Sequence, residues 1–176
     1  MTRKVQIMDE ATIKRSLARI THEIIERNEG LNGLVLLGVK TRGILIADIL
    51  RDNMFKFEGV NVDYGFIDQT MFRDDYTLEE KKAKATGSNI PCSLENKTVV
   101  IVDDVLYTGR TARAAIETVF SLGRPKSVQL AVLVDRGHRE IPIRPDYVGK
   151  NIPTSKHEKV SVVMDGGEEN GVFIVE

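Results

Sequence analysis

Three predominantly apolar runs constrain the fold of this chain more than any other feature: LVLLGV (34–39), TVVIVD (98–103) and SVQLAVLVD (127–135). A strand that is apolar on both sides must be covered on both sides, which is typical of a parallel sheet. Helical patterns lie between these runs, and strands that alternate with helices predict an α/β fold. We therefore expect a central, mostly parallel sheet flanked by helices.

The other elements are predicted from periodicity and from residues that begin or end helices. Apolar residues recur at helical spacing after Asp9, which predicts a helix from Asp9 to about Asn28. Gly30 and Gly123 stand where helices are expected to stop. The remaining predicted elements are helices over 43–55 and 110–122 and strands over 60–67, 160–165 and 171–175.

Size and charge narrow the function classes. A chain of 176 residues, 41% of them hydrophobic, suits a single domain over 1–176. The net charge of −1 gives no indication that the chain as a whole binds nucleic acid or membranes. The single cysteine, Cys92, excludes an internal disulfide and a cysteine-cluster metal site. With no long apolar stretch and no leader pattern in MTRKVQIMDEATIKR, we predict a cytoplasmic protein.

Two loops at the predicted carboxyl ends of strands, where parallel α/β sheets bind ligands, carry suitable residues. GVKTRG (38–43) follows the first apolar run and DDVLYTGRT (103–111) follows the second. The end of the second loop leads into a predicted helix, whose first N–H groups attract phosphate. Asp103 and Asp104, expected at the strand end, would accept hydrogen bonds from a sugar diol. The pattern predicts a sugar phosphate as the ligand.

An acidic pair after a strand has other interpretations. It can hold magnesium in a nucleotide hydrolase, but the chain has no G-x-x-x-x-G-K-[ST] loop, and it also lacks a G-x-G-x-x-G. A receiver domain carries such a pair near its start, whereas too little chain follows here for the remaining strand–helix units. The pair alone is weak evidence, but the full string VVIVDDVLYTGRT (99–111) is specific.

That string closely resembles the phosphoribosyl-diphosphate (PRPP) signature of type I phosphoribosyltransferases. The resemblance extends to the PyrR family, the bifunctional regulators of pyrimidine-operon attenuation, through MDEATIKRSLARITHEIIERN, LLGVKTRGILIA and GRPKSVQLAVLVDRGHREIPIRPDYVGKNIPTSK. Only 69–90 and the last dozen residues match loosely. The resemblance implies a type I phosphoribosyltransferase fold with a small hood, to which the C-terminal part contributes.

Two activities are implied by the resemblance. The first is transfer of phosphoribose from PRPP to uracil, giving UMP and diphosphate with Mg²⁺. The second is binding to the leader mRNA of the pyrimidine operon when UMP is bound, which promotes transcription termination. A homodimer or higher homo-oligomer is implied as well. The alternative is a nucleobase salvage phosphoribosyltransferase without an RNA role.

The resemblance also assigns roles to residues in the two loops. Asp103 and Asp104 are expected to bind the ribose hydroxyls and to favour positive charge on the sugar. Arg42 is expected to neutralise the leaving diphosphate. These three are the expected catalytic residues. Mg²⁺ is expected to be held mainly through the diphosphate, without direct protein ligands. The whole set expected to bind PRPP or nucleotide is Lys40, Thr41, Arg42, Arg73, Asp103, Asp104, Val105, Leu106, Tyr107, Thr108, Gly109, Arg110 and Thr111.

The charged segment 68–91 shows almost no apolar periodicity. A loop of that length inside a compact domain is usually functional or disordered. Two interpretations are open. The segment is a solvated surface loop or exposed hairpin, or it is a mobile lid that closes over PRPP and excludes water. We adopt the lid as the hypothesis, with Arg73 as its candidate for reaching the diphosphate.

The sequence gives little indication of which residues form the base pocket, because backbone groups can select uracil. Arg136 follows a strand end, and Val160 falls in the hood by resemblance; both are candidates near the base, whereas His138 is assigned no acid–base role.

Basic residues on the first helix and late in the chain have two interpretations. From the pattern alone they are solvated charged faces. The resemblance instead implies a basic concave surface across a dimer that binds an RNA stem-loop. The residues carried over for RNA binding are His22, Arg27, Arg139, Arg144 and Lys150.

Overall fold

The protein contains one parallel and one antiparallel sheet. The structure is a computed structural model that describes residues 3–90 and 92–176. Met1, Thr2 and Pro91, the last within the segment predicted to be a lid, lie outside the described residues. The helices are α1 (Glu10–Arg27), α2 (Arg42–Glu58), α3 (Leu78–Lys84) and α4 (Arg110–Leu122), with a 3-10 turn over Thr70–Phe72. The strands are β1 (Lys4–Asp9), β2 (Leu34–Val39), β3 (Asp63–Ile67), β4 (Thr98–Leu106), β5 (Ser127–Asp135), β6 (Tyr147–Asn151), β7 (Lys159–Val163) and β8 (Gly171–Val175).

The larger sheet has five strands in the order β3-β2-β4-β5-β6, and every neighbouring pair in it is parallel. The three predicted apolar runs form β2, β4 and β5, which occupy its centre. The prediction of a parallel sheet is therefore confirmed.

Helices cover both faces of this sheet, which explains the continuous apolar runs. Along β2, Leu36 packs into the core formed with α1 and α2, whereas Val35 and Leu37 face the core formed with α4. Each of these three side chains is fully buried. Burial of alternate side chains in two separate cores requires an apolar residue at every position of the strand.

The smaller sheet is antiparallel, in the order β1-β8-β7, and we call it the hood. Its two C-terminal strands were predicted, but β1 was not. The side chain of Asp9 accepts a hydrogen bond from the N–H of Thr12 at 2.8 Å, so the residue that ends β1 also caps α1.

Other predictions of local structure were wrong in extent or missing. The strand expected over 60–67 begins only at Asp63, and β4 continues to Leu106, so Asp103 and Asp104 lie within the strand and not in the following loop. Neither β6 nor α3 was predicted. The start of α3 is a capping box between Thr77 and Glu80, a T-x-x-E signal that is present in the sequence.

Two glycines let α2 begin close against the sheet. A Cβ on Gly43 would lie 2.3 Å from the carbonyl oxygen of Val102 and 3.2 Å from the Cα of Asp103. A Cβ on Gly38 would lie 2.6 Å from the Cα of Ile44. Because these contacts involve backbone atoms, a side chain at either position would push α2 away from the sheet, from β4 at Gly43 and from β2 at Gly38.

We expect Gly43→Ala to lower the free energy of unfolding by about 1–3 kcal/mol, because the added methyl group overlaps the backbone of β4. Urea denaturation measures this change. In an unobstructed helix the same substitution stabilises by roughly 1 kcal/mol, so a gain of that size would show that α2 does not contact β4 here.

Candidate active site

A polar cavity of about 510 Å³ opens where the central strands end. It lies between the segment that joins β2 to α2 and the end of β4. The residues that line it are Lys40, Thr41, Arg42, Gln69, Asp103, Asp104, Val105 and Thr111. The structure thus brings together members of both predicted ligand loops, and adds Gln69, whose buried Oε1 has no hydrogen-bond partner among the described residues.

The cavity exists because β4 continues beyond β2. The last pair between these strands is Gly38 with Val102, whereas β4 goes on pairing with β5 as far as Leu106. In the continuation, the N–H of Asp104 donates to Oδ1 of Asp103 at 2.8 Å, and the N–H of Val105 donates to Oδ1 of Asp104 at 2.7 Å. These bonds fix both carboxylates close to the main chain of β4.

The two carboxylates differ in their surroundings. Burial and the neighbouring Asp104 carboxylate raise the pKa of Asp103 well above its ordinary value, although the N–H of Asp104 and the charge of Arg73 oppose the shift. A guanidinium nitrogen of Arg42 lies 3.9 Å from Oδ2 of Asp104. A ligand that donates hydroxyl hydrogens or carries positive charge would stabilise the ionised form of Asp103.

The loop between β4 and α4 is shaped by contacts from the segment that follows β5. Gly109 takes a left-handed φ of +92°, and a Cβ there would lie 3.2 Å from Cβ of Ile141. The N–H groups of Glu140 and Ile141 both donate to the carbonyl of Thr108, at 2.8 and 3.0 Å. The loop is therefore held in one shape at the point where α4 begins, beside Thr111 in the cavity wall.

The segment predicted to be a lid contacts the start of α4 through two arginines. Arg73 forms two hydrogen bonds to the carboxylate of Asp75 and donates a third to the hydroxyl of Thr111. Arg110 donates to Asp74 of the segment and to Glu140. The segment thus lies against the cavity, with Arg73 at the α4 side of it. Closure over PRPP and contact of Arg73 with the diphosphate remain predictions.

Asp68, at the end of β3, joins the two ends of this segment. Its carboxylate accepts hydrogen bonds from the N–H groups of Thr70 at 3.0 Å, Thr86 at 2.6 Å and Gly87 at 3.0 Å, and another from the Thr70 hydroxyl. Burial acts to raise the pKa of Asp68, but these hydrogen bonds outweigh it and lower the pKa to about 2. Asp68 was missed in the sequence, because its partners are recognisable only once the chain has folded.

Lys40 connects the same junction to the cavity. Its Nζ donates to the Thr86 hydroxyl at 2.6 Å and to the Gly87 carbonyl at 2.9 Å. Lys40 belongs to the loop predicted to bind diphosphate, so one side chain touches both the cavity and the end of the charged segment.

The two residues predicted near the base take other positions. Arg136 is buried and donates through Nη2 to the carbonyls of Ser155 and Glu158, while its guanidinium lies 3.9 Å from the ring centre of Tyr107. It thereby connects β5 to the segment before the hood. Val160 is half-buried in β7. Neither residue lines the cavity described above, and their roles at the base remain predictions.

The residues predicted to bind RNA are only partly brought together. Arg139 and Arg144 line a second cavity of about 510 Å³ beside β5 and β6, and Lys150 lies on β6. Arg27 of α1 forms an ion pair with Asp146, next to this group, at 2.8 Å. His22 instead stacks on Phe57 of α2, with 4.4 Å between ring centres.

Arg139 is held by several contacts within the protein. It donates to the carbonyls of Tyr107 and Ile143, both at 2.8 Å, and to the carboxylate of Asp135. Its side chain is 21% exposed. In this arrangement Arg139 supports the loop that precedes α4, and a role in RNA binding would be additional to that support.

Clusters of metal-ligating side chains and membrane-spanning helices are both absent from the described residues, 3–90 and 92–176. No group of three or more His, Cys, Asp or Glu side chains there is placed to hold a metal ion. Within the same ranges, no helix combines the length and apolar character needed to span a membrane.

The fold and cavity have counterparts among known proteins. Residues 5–165 match the phosphoribosyl transferase domain family, which makes this a type I phosphoribosyltransferase fold. A hypoxanthine phosphoribosyltransferase from Trypanosoma cruzi superposes with a TM-score of 0.72 at 24% identity, over 97% of this chain and 94% of that one. One from Staphylococcus aureus gives 0.66 at 22% identity, over 85% and 77%. These two likenesses concern the fold alone.

Closer sequence relatives define the family more narrowly. The chain is 52% identical to Bifunctional protein PyrR of Clostridioides difficile over 100% of both proteins. It is 51% identical to that of Listeria monocytogenes, over 99% of this chain and 98% of the relative. The protein of the same name from Bacillus cereus is 53% identical over 92% and 91%. The chain belongs to the PyrR family.

The hydrogen bonds of Asp68 predict a pH-dependent stability. Its pKa in the folded protein, about 2, lies below the unfolded value of about 3.9, so the stabilisation is complete above pH 4 and is lost as the pH falls through 2. We expect Asp68→Asn to lower the free energy of unfolding by about 2 kcal/mol at pH 7 and by roughly half as much at pH 3.

Urea denaturation at both pH values measures this difference. Asp52→Asn is the matched control, because Asp52 is an exposed carboxylate whose side-chain contact is with the adjacent Arg51. A difference between wild type and Asp68→Asn that stayed constant from pH 7 to pH 3 would contradict the assignment of the effect to the ionised carboxylate.

Proposed function

We propose that this protein transfers phosphoribose from PRPP to uracil, and that UMP in the same cavity controls its binding to the leader RNA of the pyrimidine operon. The observation that carries the proposal is the meeting, in one cavity, of the acidic pair of β4, the Lys40–Arg42 loop and the start of α4. The relatives' shared name, Bifunctional protein PyrR, supports a double role.

Each wall of the cavity suits one part of PRPP. The carboxylates of Asp103 and Asp104 offer acceptors for the two ribose hydroxyls. The start of α4, with Gly109 and Thr111, offers N–H and hydroxyl donors for the 5′-phosphate. Lys40 and Arg42 offer positive charge for the diphosphate. A ligand bound in this way would span the cavity from β4 to both neighbouring loops.

The chemistry requires orientation and charge stabilisation rather than a protein nucleophile. As the bond between the anomeric carbon and diphosphate breaks, positive charge develops on the sugar ring and negative charge on the leaving group. Asp103 and Asp104 would stabilise the first, and Arg42 the second. Binding of both substrates in one cavity replaces a bimolecular encounter by a fixed arrangement.

Magnesium fits this arrangement. The donor set at the sugar end consists of carboxylate oxygens, which are the hard ligands that Mg²⁺ prefers, and diphosphate would supply further oxygens. When bound, the ion would neutralise part of the charge on the leaving group. The ion would be held mainly through the diphosphate, and Asp103 and Asp104 are the carboxylates of the cavity wall that would lie nearest to it.

Water must be kept from the activated sugar, and the segment from Asp68 to Gly87 is placed to do this. It lies beside the cavity and is attached at three points, through Lys40, Thr111 and Arg110. We assign it the role of a lid, with Arg73 reaching the phosphates from the α4 side. A lid that closes only over bound substrate would also commit PRPP to transfer.

For the base, the hood and the end of β5 are the candidate elements. The buried Arg136 holds the segment that leads into β7, so it would set the position of the hood strand that carries Val160. Uracil would then be read mainly by backbone groups of this region.

The RNA role rests on the basic residues around β6. Arg144, Lys150 and Arg27 lie on or beside this edge strand, and Arg139 borders the same cavity. In a homodimer or higher homo-oligomer, two such groups would form one basic surface despite the net charge of −1 per chain. Such a surface would read the shape and the single-stranded bases of a stem-loop.

Substitution Asp104→Asn tests the enzyme. We expect kcat/KM for PRPP to fall at least 100-fold, because the site loses a charge at the point where the sugar becomes cationic. Diphosphate release from protein, Mg²⁺, PRPP and uracil is the measurement, and Asp52→Asn is the control with the same change of side chain. Near-normal turnover by Asp104→Asn, with its thermal stability retained, would overturn the role of the diol site.

The choice of base separates the proposal from its alternative. If wild-type protein releases diphosphate with hypoxanthine but not with uracil, it is a purine salvage enzyme. Activity with uracil but no RNA binding would leave a pyrimidine salvage transferase without a regulatory role.

Filter binding to a pyrimidine-operon leader hairpin tests the RNA role. We expect UMP to raise the affinity, and Lys150→Ala to lower it while reducing the slope of log K against log salt by about 1, since one phosphate contact is lost. Arg124→Ala serves as the control, because Arg124 is an exposed arginine after α4, away from β6. An affinity that does not respond to UMP would contradict the regulatory role.

A further inference from the structure

The junction at the base of the charged segment contains a buried acid to which no role has been assigned. Asp68 is 9% exposed, and its carboxylate binds Thr70 on the outgoing side of the segment and Thr86 and Gly87 on the returning side. The N–H of Asp68 donates to the hydroxyl of Ser88 at 2.8 Å. Asp68 therefore joins the two sides of the segment, next to the backbone bridge between Phe66 and Asn89.

The returning side of this loop is also where Lys40 is held. The ammonium group donates to the Thr86 hydroxyl and the Gly87 carbonyl, at 2.6 and 2.9 Å, and lies 4.7 Å from the ring centre of Phe66. Asp68 and Lys40 thus bind the same two residues: Asp68 accepts from their N–H groups and, at 3.5 Å, from the Thr86 hydroxyl, whereas Lys40 donates to the Thr86 hydroxyl and the Gly87 carbonyl.

We propose that Asp68 is a positioning residue for phosphoribosyl transfer, which acts through Thr86 and Gly87 to hold Lys40 at the diphosphate end of the cavity and to couple it to the lid. This inference rests on the proposed function and extends it to a residue outside the substrate-binding cavity. Asp68 itself does not line that cavity.

The chemistry of the junction explains why an ionised carboxylate is needed. The hydrogen-bonding groups that reach Asp68 from Thr70, Thr86 and Gly87 include a main-chain N–H from each, and these groups approach both carboxylate oxygens. An asparagine in its place offers one oxygen and one NH₂ group. Whichever way the amide is turned, its NH₂ group faces an N–H donor, so one end of the loop must be released.

A double-mutant cycle between Asp68→Asn and Lys40→Met tests the coupling. If Asp68 acts through Lys40, we expect each single substitution to raise KM for PRPP about 10-fold and the double substitution to raise it no more than about 20-fold. KM for uracil should change less than 2-fold in all three variants. A 100-fold increase in the double variant would mean that the two residues act independently, and would overturn the proposal.

Limited digestion with trypsin tests the same junction without relying on catalysis. The lysines of α3, Lys81, Lys82 and Lys84, lie within the loop that Asp68 closes. We expect Asp68→Asn to increase cleavage at these lysines at least 10-fold more than it increases cleavage at sites outside the segment. Equal acceleration at all sites would indicate global destabilisation, and an unchanged rate would show that Asp68 does not close the loop; either result overturns the proposal.

The two measurements also separate failure of this inference from failure of the proposed function. If wild-type protein releases no diphosphate from PRPP with uracil or a purine base, the proposed function fails, whereas the trypsin result still decides whether Asp68 closes the loop. Asp52→Asn is the control in both, and we expect wild-type values of KM and wild-type cleavage from it.

Discussion

The site depends on the unequal lengths of two neighbouring strands. Because β4 pairs with β5 well beyond the last residue that it pairs with β2, one flank of its end is free of a neighbouring strand. In the interior of a parallel sheet such a gap would leave main-chain groups without partners. Here Asp103 and Asp104 accept main-chain N–H groups of the strand, and the vacated flank becomes the cavity.

Electrostatic balance at the site follows from the same arrangement. Two adjacent carboxylates, one of them with a raised pKa, lie close to the side chains of Lys40 and Arg42 and to the start of a helix. The end of the cavity at β4 is therefore acidic, whereas the ends at Lys40, Arg42 and the start of α4 favour anions. A ligand with that polarity would exchange contacts with water for contacts with protein at each end, whereas a simple phosphate would meet repulsion from the acids. This polarity is the physical basis for the proposed binding of a phosphorylated sugar.

The helices and strands that were predicted correctly are those whose pattern is contained in a short stretch of sequence. β5, β8 and α4 have the predicted bounds, because two-sided burial or a helical stripe, with turn residues beyond it, is visible in a short window. β6, YVGKN, is a partly polar edge strand and gives no such pattern. α3 buries no side chain, so it lacks an apolar stripe, and the capping box that marks its start in the sequence was not recognised. The acidic pair was recognised, but Asp68 was not, because its partners at Thr86 and Gly87 come together only in the folded chain.

The hood brings together parts of the chain that are far apart in sequence. Its central strand, β8, pairs with β1 on one side and with β7 on the other, and the register joins Lys4 to Val175. Contacts of such long range add entropy cost to folding and slow it. During synthesis, the five-stranded sheet has all its strands before β8 has been made. The hood therefore cannot form until β8 is available, because β8 is the only strand through which β1 and β7 are joined in the described sheet.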